Sequence, residues 1–174
     1  MPLTVINQNN LGLGNDGNYA CGVACGISVL TSLHVAPTPP PTDIFREIST
    51  TRITHSFGAT PANIADYLIS QGLRVYYNNN MQRKTGSPIG KLLEANLLFN
   101  SNAIQLPLGP LPNETYYIHF LKVRNLNPAG HFVVSDGAGN YMDPDGGNIV
   151  HALPAGPFPN NPFYDTGLTL IVTR

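Results

Sequence analysis

The sequence is poor in charge and cysteine and has no long apolar run. Charged residues make up 11% of its 174 residues, against about a quarter in an ordinary soluble domain. Its nine basic residues are dispersed and the net charge is −1, which argues against nucleic-acid binding. No apolar segment approaches the ~20 residues that a membrane span requires. Two cysteines cannot build a disulfide framework or a four-cysteine zinc site, and we expect no metal and no cofactor.

Uncharged polar residues take the place of the missing charge. The chain contains 19 Asn, 17 Gly and 16 Pro, a composition typical of loops and turns. Its length and its 42% hydrophobic residues suit one domain over residues 1–174 with a sizeable core. Residues 1–10 lack the basic and apolar regions of a secretion signal. We therefore expect a soluble protein, cytoplasmic or exported by a signal-independent route, and the sequence does not indicate its oligomeric state.

Helical signals are confined to the first hundred residues. After Cys21, apolar residues recur at three- and four-residue steps until prolines end the pattern. Thr60 suits an N-cap, Pro61 the first helical position and Gly72 a left-handed stop. The predicted helices are Cys21 to Leu33, Asp43 to Ile48, Thr60 to Gln71 and a fourth that starts at Ser87-Pro88 and runs through Leu97.

Short apolar runs broken by Pro, Gly and Asn follow in the second half, a pattern typical of an antiparallel sheet. A short strand at Arg74 to Tyr77 precedes them. The further predicted strands are Ala103 to Leu106, Tyr116 to Arg124, His131 to Ser135, Asn140 to Asp143 and Leu168 to Thr173. Helices first and strands second indicate an α+β fold, with the helical N-terminal half packed on an antiparallel sheet from the C-terminal half.

Both cysteines lie at the start of the first predicted helix. Cys21 occupies its N-terminus, where unpaired backbone N–H groups and the helix dipole favour a thiolate, the nucleophilic form of cysteine. Cys25 lies one turn further in, where a structural role fits better. The alternative is that both are small buried thiols with no chemical role.

One of the five histidines is placed to serve as a base. His131 follows Gly130 at the start of a strand, and a dense turn signal around Gly137 predicts a hairpin from His131 to Asp143. A turn centred near Gly137 sets His131 opposite Asp143, so the carboxylate can orient the imidazole and favour its protonated form. The alternative is a strand-edge histidine beside a turn aspartate.

The other histidines and nearby aspartates have simpler interpretations. His119 is either a packed imidazole or a second candidate base, because strand alternation places it on the face of Tyr117 and Leu121. The remaining residues fit structural or solvated roles: His34 at a helix end, His55 and His151 in loops, and Asp136 and Asp145 in turns.

These motifs resemble those of papain-like cysteine peptidases. The string Cys21-Gly22-Val23-Ala24-Cys25 precedes an apolar helix, and Gly130-His131-Phe132-Val133-Val134 and Asp143-Pro144 follow on a hairpin. The closest similarity is to the bacteriocin-leader-processing peptidase domains of ABC exporters and their free-standing relatives. The resemblance implies that Cys21 is the nucleophile, His131 the general base and Asp143 the residue that orients it.

The sequence departs from that family at the expected oxyanion donor. The family carries a Gln six residues before the nucleophile, where this chain has Asn15, and the nearest Gln is Gln8. Asn offers the same N–H donor on a side chain one methylene shorter. Asn15 is therefore the first candidate for the oxyanion hole and Gln8 the second.

The leading interpretation is a cysteine peptidase that cleaves a peptide bond in a peptide or protein substrate through a thioester. Its low charge and Asn-rich composition suit an exported bacterial effector or toxin. A glutamine or asparagine deamidase would use the same triad. A papain-like binding module without turnover is the alternative of a different class, and the Asn15 substitution would support it.

Overall fold

Among the described residues, all helices precede all strands. The computed structural model describes residues 2–49, 59–79, 101–106, 109–123, 130–156 and 161–174. Two 3₁₀ helices, Gln8–Asn10 and Gly14–Tyr19, precede α1 (Cys21–Ser32), α2 (Pro41–Ile48) and α3 (Pro61–Ser70). The strands are β1 (Arg74–Asn79), β2 (Ile104–Gln105), β3 (Thr115–Val123), β4 (Gly130–Ser135), β5 (Tyr141–Asp143), β6 (Asn148–Val150) and β7 (Phe163–Thr173).

These strands form one seven-stranded sheet in the order β2-β1-β7-β3-β4-β5-β6. The α+β class is therefore confirmed. The expectation of a purely antiparallel sheet from the C-terminal half is wrong at one edge, because β1 pairs in parallel with β2. β1 reaches that position by pairing antiparallel with β7, at the other end of the chain. Parallel neighbours need a long connection, and more than twenty residues separate β1 from β2.

Local capping explains where the helices begin. The Thr60 side chain accepts a hydrogen bond from the Asn63 N–H at 3.1 Å, as its predicted N-cap role requires. Gly72 has a φ of +82°, the left-handed conformation expected after the end of α3. The second helix begins two residues earlier than predicted, at Pro41, because proline is favoured in the first helical turn.

Helix α1 lies at the centre of the fold and packs against β4, α2 and α3. It is buried on almost all sides, so packing holds it despite its two glycines. Gly22 is needed for this packing, since a Cβ there would lie 2.8 Å from the Cβ of Ala59 and 3.0 Å from Ile64. No helix in the described parts of the chain is long and apolar enough to cross a membrane.

Several strand limits differ from the predicted ones. β6 was not predicted, and β7 begins five residues before Leu168. A register shift beside Phe120 divides β7, and the buried Thr166 hydroxyl there donates to the Phe120 carbonyl at 2.6 Å. This irregularity hides the alternating pattern that identifies a strand. The predicted helix from Ser87-Pro88 lies outside the described residues.

Candidate active site

Cys21 is the first residue of α1, as the sequence predicts. Its side chain lies beside backbone N–H groups that have no partner within the helix. Cys21 is 8% exposed, whereas Cys25, one turn further in, is completely buried. Burial and the neighbouring Cys21 and Asp143 raise the pKa of Cys25 well above its ordinary value. Cys25 is therefore a neutral core thiol, and Cys21 is the one at the helix end.

His131 lies near the start of β4, where the preceding glycine lets the strand approach its neighbour. A Cβ at Gly130 would overlap the ring of Phe120 and come within 3.3 Å of the Leu121 carbonyl. Gly130 pairs with Lys122 and His131 with Leu121 on β3. A side chain at position 130 would force the two strands apart beside the imidazole.

The β4–β5 hairpin has a different centre from the predicted one. Ser135 pairs with Tyr141 and Val134 with Met142, so the turn is centred on Ala138 rather than Gly137. The expectation that His131 lies directly opposite Asp143 is therefore wrong. Moving the turn centre by one residue shifts every cross-strand partner by two positions. Asp143 therefore stays on the predicted face of the sheet but lies diagonal to His131.

The predicted contact between the two side chains is present. His131 Nε2 lies 2.8 Å from Asp143 Oδ1, and an ionised carboxylate can only accept, so Nε2 donates. Nδ1 is then the ring nitrogen left for the Cys21 thiol, which is close enough to raise the pKa of the imidazole. The structure brings Cys21, His131 and Asp143 together.

The surroundings of His131 favour its protonated form. Burial alone would lower its pKa, but the hydrogen bond that His131 donates to Asp143, together with the influence of Cys21 and the charge of Asp143, outweighs burial and raises the pKa to about 10. Burial acts to raise the pKa of Asp143, and the hydrogen bond and charge of His131 overcome it, so that the pKa is lowered. His131 and Asp143 thus form a charged pair at neutral pH.

An aromatic residue that the sequence reasoning missed covers this pair. The ring of Phe163, the first residue of β7, stacks on the imidazole with centroids 4.8 Å apart and an interplanar angle of 18°. Such a ring excludes water from one face of His131. Its segment, Asn161-Pro162-Phe163, resembles an ordinary loop in the sequence and gave no signal.

The two candidate oxyanion donors differ in burial. Asn15 lies exposed on the second 3₁₀ helix. Gln8 is 5% exposed, and its backbone N–H donates to the Pro144 carbonyl at 2.9 Å, immediately after Asp143. The burial of the two side chains thus reverses the order expected from sequence spacing.

Asp136, His151 and His119 have contacts with polar neighbours, and His55 lies outside the described residues. Asp136 accepts hydrogen bonds from the backbone N–H groups of Ala138 and Asn140 within its turn. His151 is exposed and contacts Asn140. His119 lies between hydroxyl groups, with Nε2 2.9 Å from Ser135 Oγ and Nδ1 3.4 Å from Thr169 Oγ1.

A cavity of about 340 Å³ lies between the second 3₁₀ helix and α2. Asp16 in its wall belongs to the second 3₁₀ helix, which leads into Cys21. Its walls combine apolar and charged side chains. The lining residues are Gly12, Leu13, Asp16, Thr42, Phe45, Arg46 and Ser49.

The site contains one thiol, one imidazole and one carboxylate, those of Cys21, His131 and Asp143. Among the described residues, no group of three or more His, Cys, Asp or Glu side chains could hold a metal ion.

Neither the protein-family models nor the curated proteins compared with this chain match it.

Proposed function

We propose that this chain is a papain-like cysteine hydrolase that attacks an amide carbonyl with Cys21. One observation supports this most directly. His131 hydrogen-bonds to Asp143 and lies close enough to Cys21 for the thiol to raise its pKa, and the thiol is at the N-terminus of a buried helix. Helix end, imidazole and carboxylate are the three features that activate a cysteine nucleophile. The order of the elements, a nucleophile helix followed by a sheet bearing the base, agrees with the resemblance.

The proposed reaction proceeds in two steps. The Cys21 thiolate attacks the carbonyl carbon, and protonated His131 gives its proton to the leaving nitrogen as the C–N bond breaks. A thioester remains on Cys21. Water then attacks the thioester, His131 takes the proton from that water, and the carboxylic acid product leaves as the thiolate re-forms. Asp143 keeps the imidazole oriented throughout.

The oxyanion formed during attack needs hydrogen-bond donors. Free N–H groups in the first turn of α1 supply one set. We propose Gln8 as the side-chain donor in preference to Asn15, because Gln8 is buried next to the Asp143 turn. The amide nitrogen of Gln8 has two N–H donors, and among the described residues it contacts Asp145 Oδ1 at 3.5 Å, which uses one of them and leaves the other for the oxyanion.

A peptide is the substrate that the surroundings favour. The cavity of about 340 Å³ has room for a substrate side chain beside the segment that leads into Cys21. Leu13 and Phe45 offer apolar contact in it, and Asp16 and Arg46 offer charge. A peptide chain would place successive side chains along such a surface.

Incubation with a diverse peptide mixture, followed by mass spectrometry, tests the proposal. We expect new termini to appear with the wild type and with Cys25→Ser, and to be lost with Cys21→Ser. Replacement of a side-chain NH₂ by OH without chain cleavage would instead indicate a deamidase. No product of either kind, with folded protein by circular dichroism, would contradict the hydrolase and favour a binding module.

A further inference from the structure

The N-terminal segment that ends with the first 3₁₀ helix joins the two parts of the candidate site. Residues 3–10, here called the strap, run from the side of α1 to the turn that follows Asp143. Their role was not apparent in the sequence, where they belong to an Asn-rich lead-in.

At one end the strap is bound to α1 through two buried serines. The Ser28 hydroxyl donates to the Thr4 carbonyl at 2.6 Å. Ser32 Oγ accepts from the Thr4 N–H at 3.0 Å and donates to Thr4 Oγ1 at 3.0 Å. Ser28 and Ser32 are 0% and 3% exposed, so these bonds are shielded from water. Leu3 is part of the hydrophobic core beside them.

At its other end the strap holds the turn after β5. The Gln8 N–H donates to the Pro144 carbonyl at 2.9 Å, and Gln8 Nε2 lies 3.5 Å from Asp145 Oδ1. The side-chain amides of Asn7 and Asn9 donate to the carbonyls of Gly146 and Asp145 at 3.4 and 3.5 Å. A Cβ on Gly147 would overlap Asn7, so the two segments are in direct contact.

The turn held in this way fixes the catalytic carboxylate. The Asp145 N–H donates to Asp143 Oδ1 at 3.1 Å, the oxygen that also accepts from His131. The Gly147 N–H donates to the Asp143 carbonyl at 2.9 Å. A shift of the turn would therefore move the Asp143 oxygen relative to the imidazole.

We propose that the strap positions Asp143 against His131 and Cys21 by tying the post-β5 turn to the nucleophile helix. This inference rests on the proposed function for its catalytic meaning. Thr4 and the Gln8 backbone N–H are its positioning groups, since they act through Asp143 and touch no reacting atom. The triad then depends on a segment outside both elements that carry it.

The charge on His131 reports the position of Asp143 without any need for turnover. The groups that act on the imidazole are Asp143 from β5 and Cys21 from α1. When the carboxylate moves away, burial is less well compensated and the pKa of His131 falls. A structural role of the strap alone would change stability and leave this pKa in place.

The test is an NMR titration of His131 in paired variants of the full chain. Gln8→Pro removes the N–H that binds Pro144, at a first helical position that tolerates proline, whereas Gln8→Ala keeps that N–H. Ser28→Ala combined with Ser32→Ala releases the other end, with Thr31→Ala, an exposed residue of α1, as control. We expect the pKa of His131 to fall by about one unit or more in Gln8→Pro relative to Gln8→Ala, and in the double serine variant relative to its control.

An unchanged His131 titration in folded Gln8→Pro and in the folded double serine variant would overturn the proposal. If Gln8→Pro fails to fold, the serine variant and Asn7→Ala decide by the same measurement. The titration needs no substrate. If the wild-type protein shows no hydrolase activity but the strap variants still lower the pKa of His131, only the proposed function is contradicted. If the wild-type protein is active and the strap variants leave the pKa of His131 unchanged, only the role of the strap is contradicted.

Discussion

Two imidazoles on the same face of the sheet have different surroundings. His119 and His131 lie on neighbouring strands, and each pairs with a residue two positions from the other histidine, Val133 and Leu121 respectively. His131 contacts a carboxylate, and a nearby thiol helps to raise its pKa. The ring nitrogens of His119 contact the hydroxyls of Ser135 and Thr169, and its ring packs on Tyr141 with centroids 5.6 Å apart.

The comparison shows that strand position alone does not make a histidine a base. A hydroxyl can donate to or accept from an imidazole, so it stabilises the neutral ring as well as the charged one. A carboxylate only accepts and carries a charge, so it favours imidazolium. His131 can therefore store and release a proton beside Cys21, and His119 has the contacts of a packed polar residue.

Replacing each histidine in turn should give the largest difference in activity between the two positions. We expect His131→Ala to lower kcat/KM by about 10²–10⁴-fold, the usual contribution of a proton-transfer group. His119→Ala should keep activity within a few-fold of wild type where the protein stays folded. Steady-state kinetics with circular dichroism of both variants makes the measurement, and similar losses in the two would show that His131 has no special role.

Removal of the carboxylate should cost less than removal of the base. We expect Asp143→Ala to lower kcat by roughly tenfold to a hundredfold, because the side chain orients and stabilises the imidazolium while His131 moves the proton. Ser135→Ala, which removes the corresponding partner of His119, is the matched control and should change kcat little. Full activity in Asp143→Ala would refute its role and leave Cys21 and His131 in place.

The pH dependence of stability separates the ion pair from a neutral contact. The pKa of His131 is raised from 6.5 to about 10, so its stabilisation is complete below pH 6.5 and is lost as the pH rises towards 10. The pKa of Asp143 is lowered from 3.8, so its stabilisation is present above that pH and is lost in acid. Denaturant unfolding between pH 5 and 10 should show a decline at high pH that Asp143→Asn reduces. Parallel curves for the two proteins would contradict the charged pair.

The smallest expected effect concerns the helix that presents the thiol to His131. A methyl group at Gly22 would meet Ala59 and Ile64, whereas one at Gly26 meets nothing within 4 Å. We expect Gly22→Ala to lower the free energy of unfolding by about 1–3 kcal/mol. Gly26→Ala should raise it by up to about 1 kcal/mol. Chemical denaturation compares them, and equal effects would mean that α1 does not pack closely at its first turn.

Periodicity and capping were enough to predict the three α-helices of the described residues and most of their strands. The Thr60 cap, the Gly72 stop and the start of α1 at Cys21 are local features, and each is present. The parallel pairing of β1 with β2 depends on contacts between distant parts of the chain, which local pattern does not contain. The register shift in β7 interrupts the alternating pattern of the strand, so the sequence did not predict its first half.

The candidate site divides in the same way. The types and spacing of Cys21, His131 and Asp143 predicted that the three residues lie together. The predicted turn centre was wrong by one residue, but the two-residue period of a strand kept Asp143 on the predicted face. Phe163 and Gln8 reach the site only through tertiary packing. Spacing along the chain favoured Asn15 over Gln8, and burial in the folded protein favours the reverse.

The rate at which iodoacetamide modifies each cysteine tests most directly whether Cys21 is activated by His131. Peptide mass spectrometry separates the two thiols within one folded sample near neutral pH. We predict that Cys21 reacts faster than Cys25 by on the order of tenfold or more, and that His131→Ala removes most of this difference while His119→Ala retains it. Equal and slow modification of both thiols, or a Cys21 rate unaffected by His131→Ala, would contradict the account.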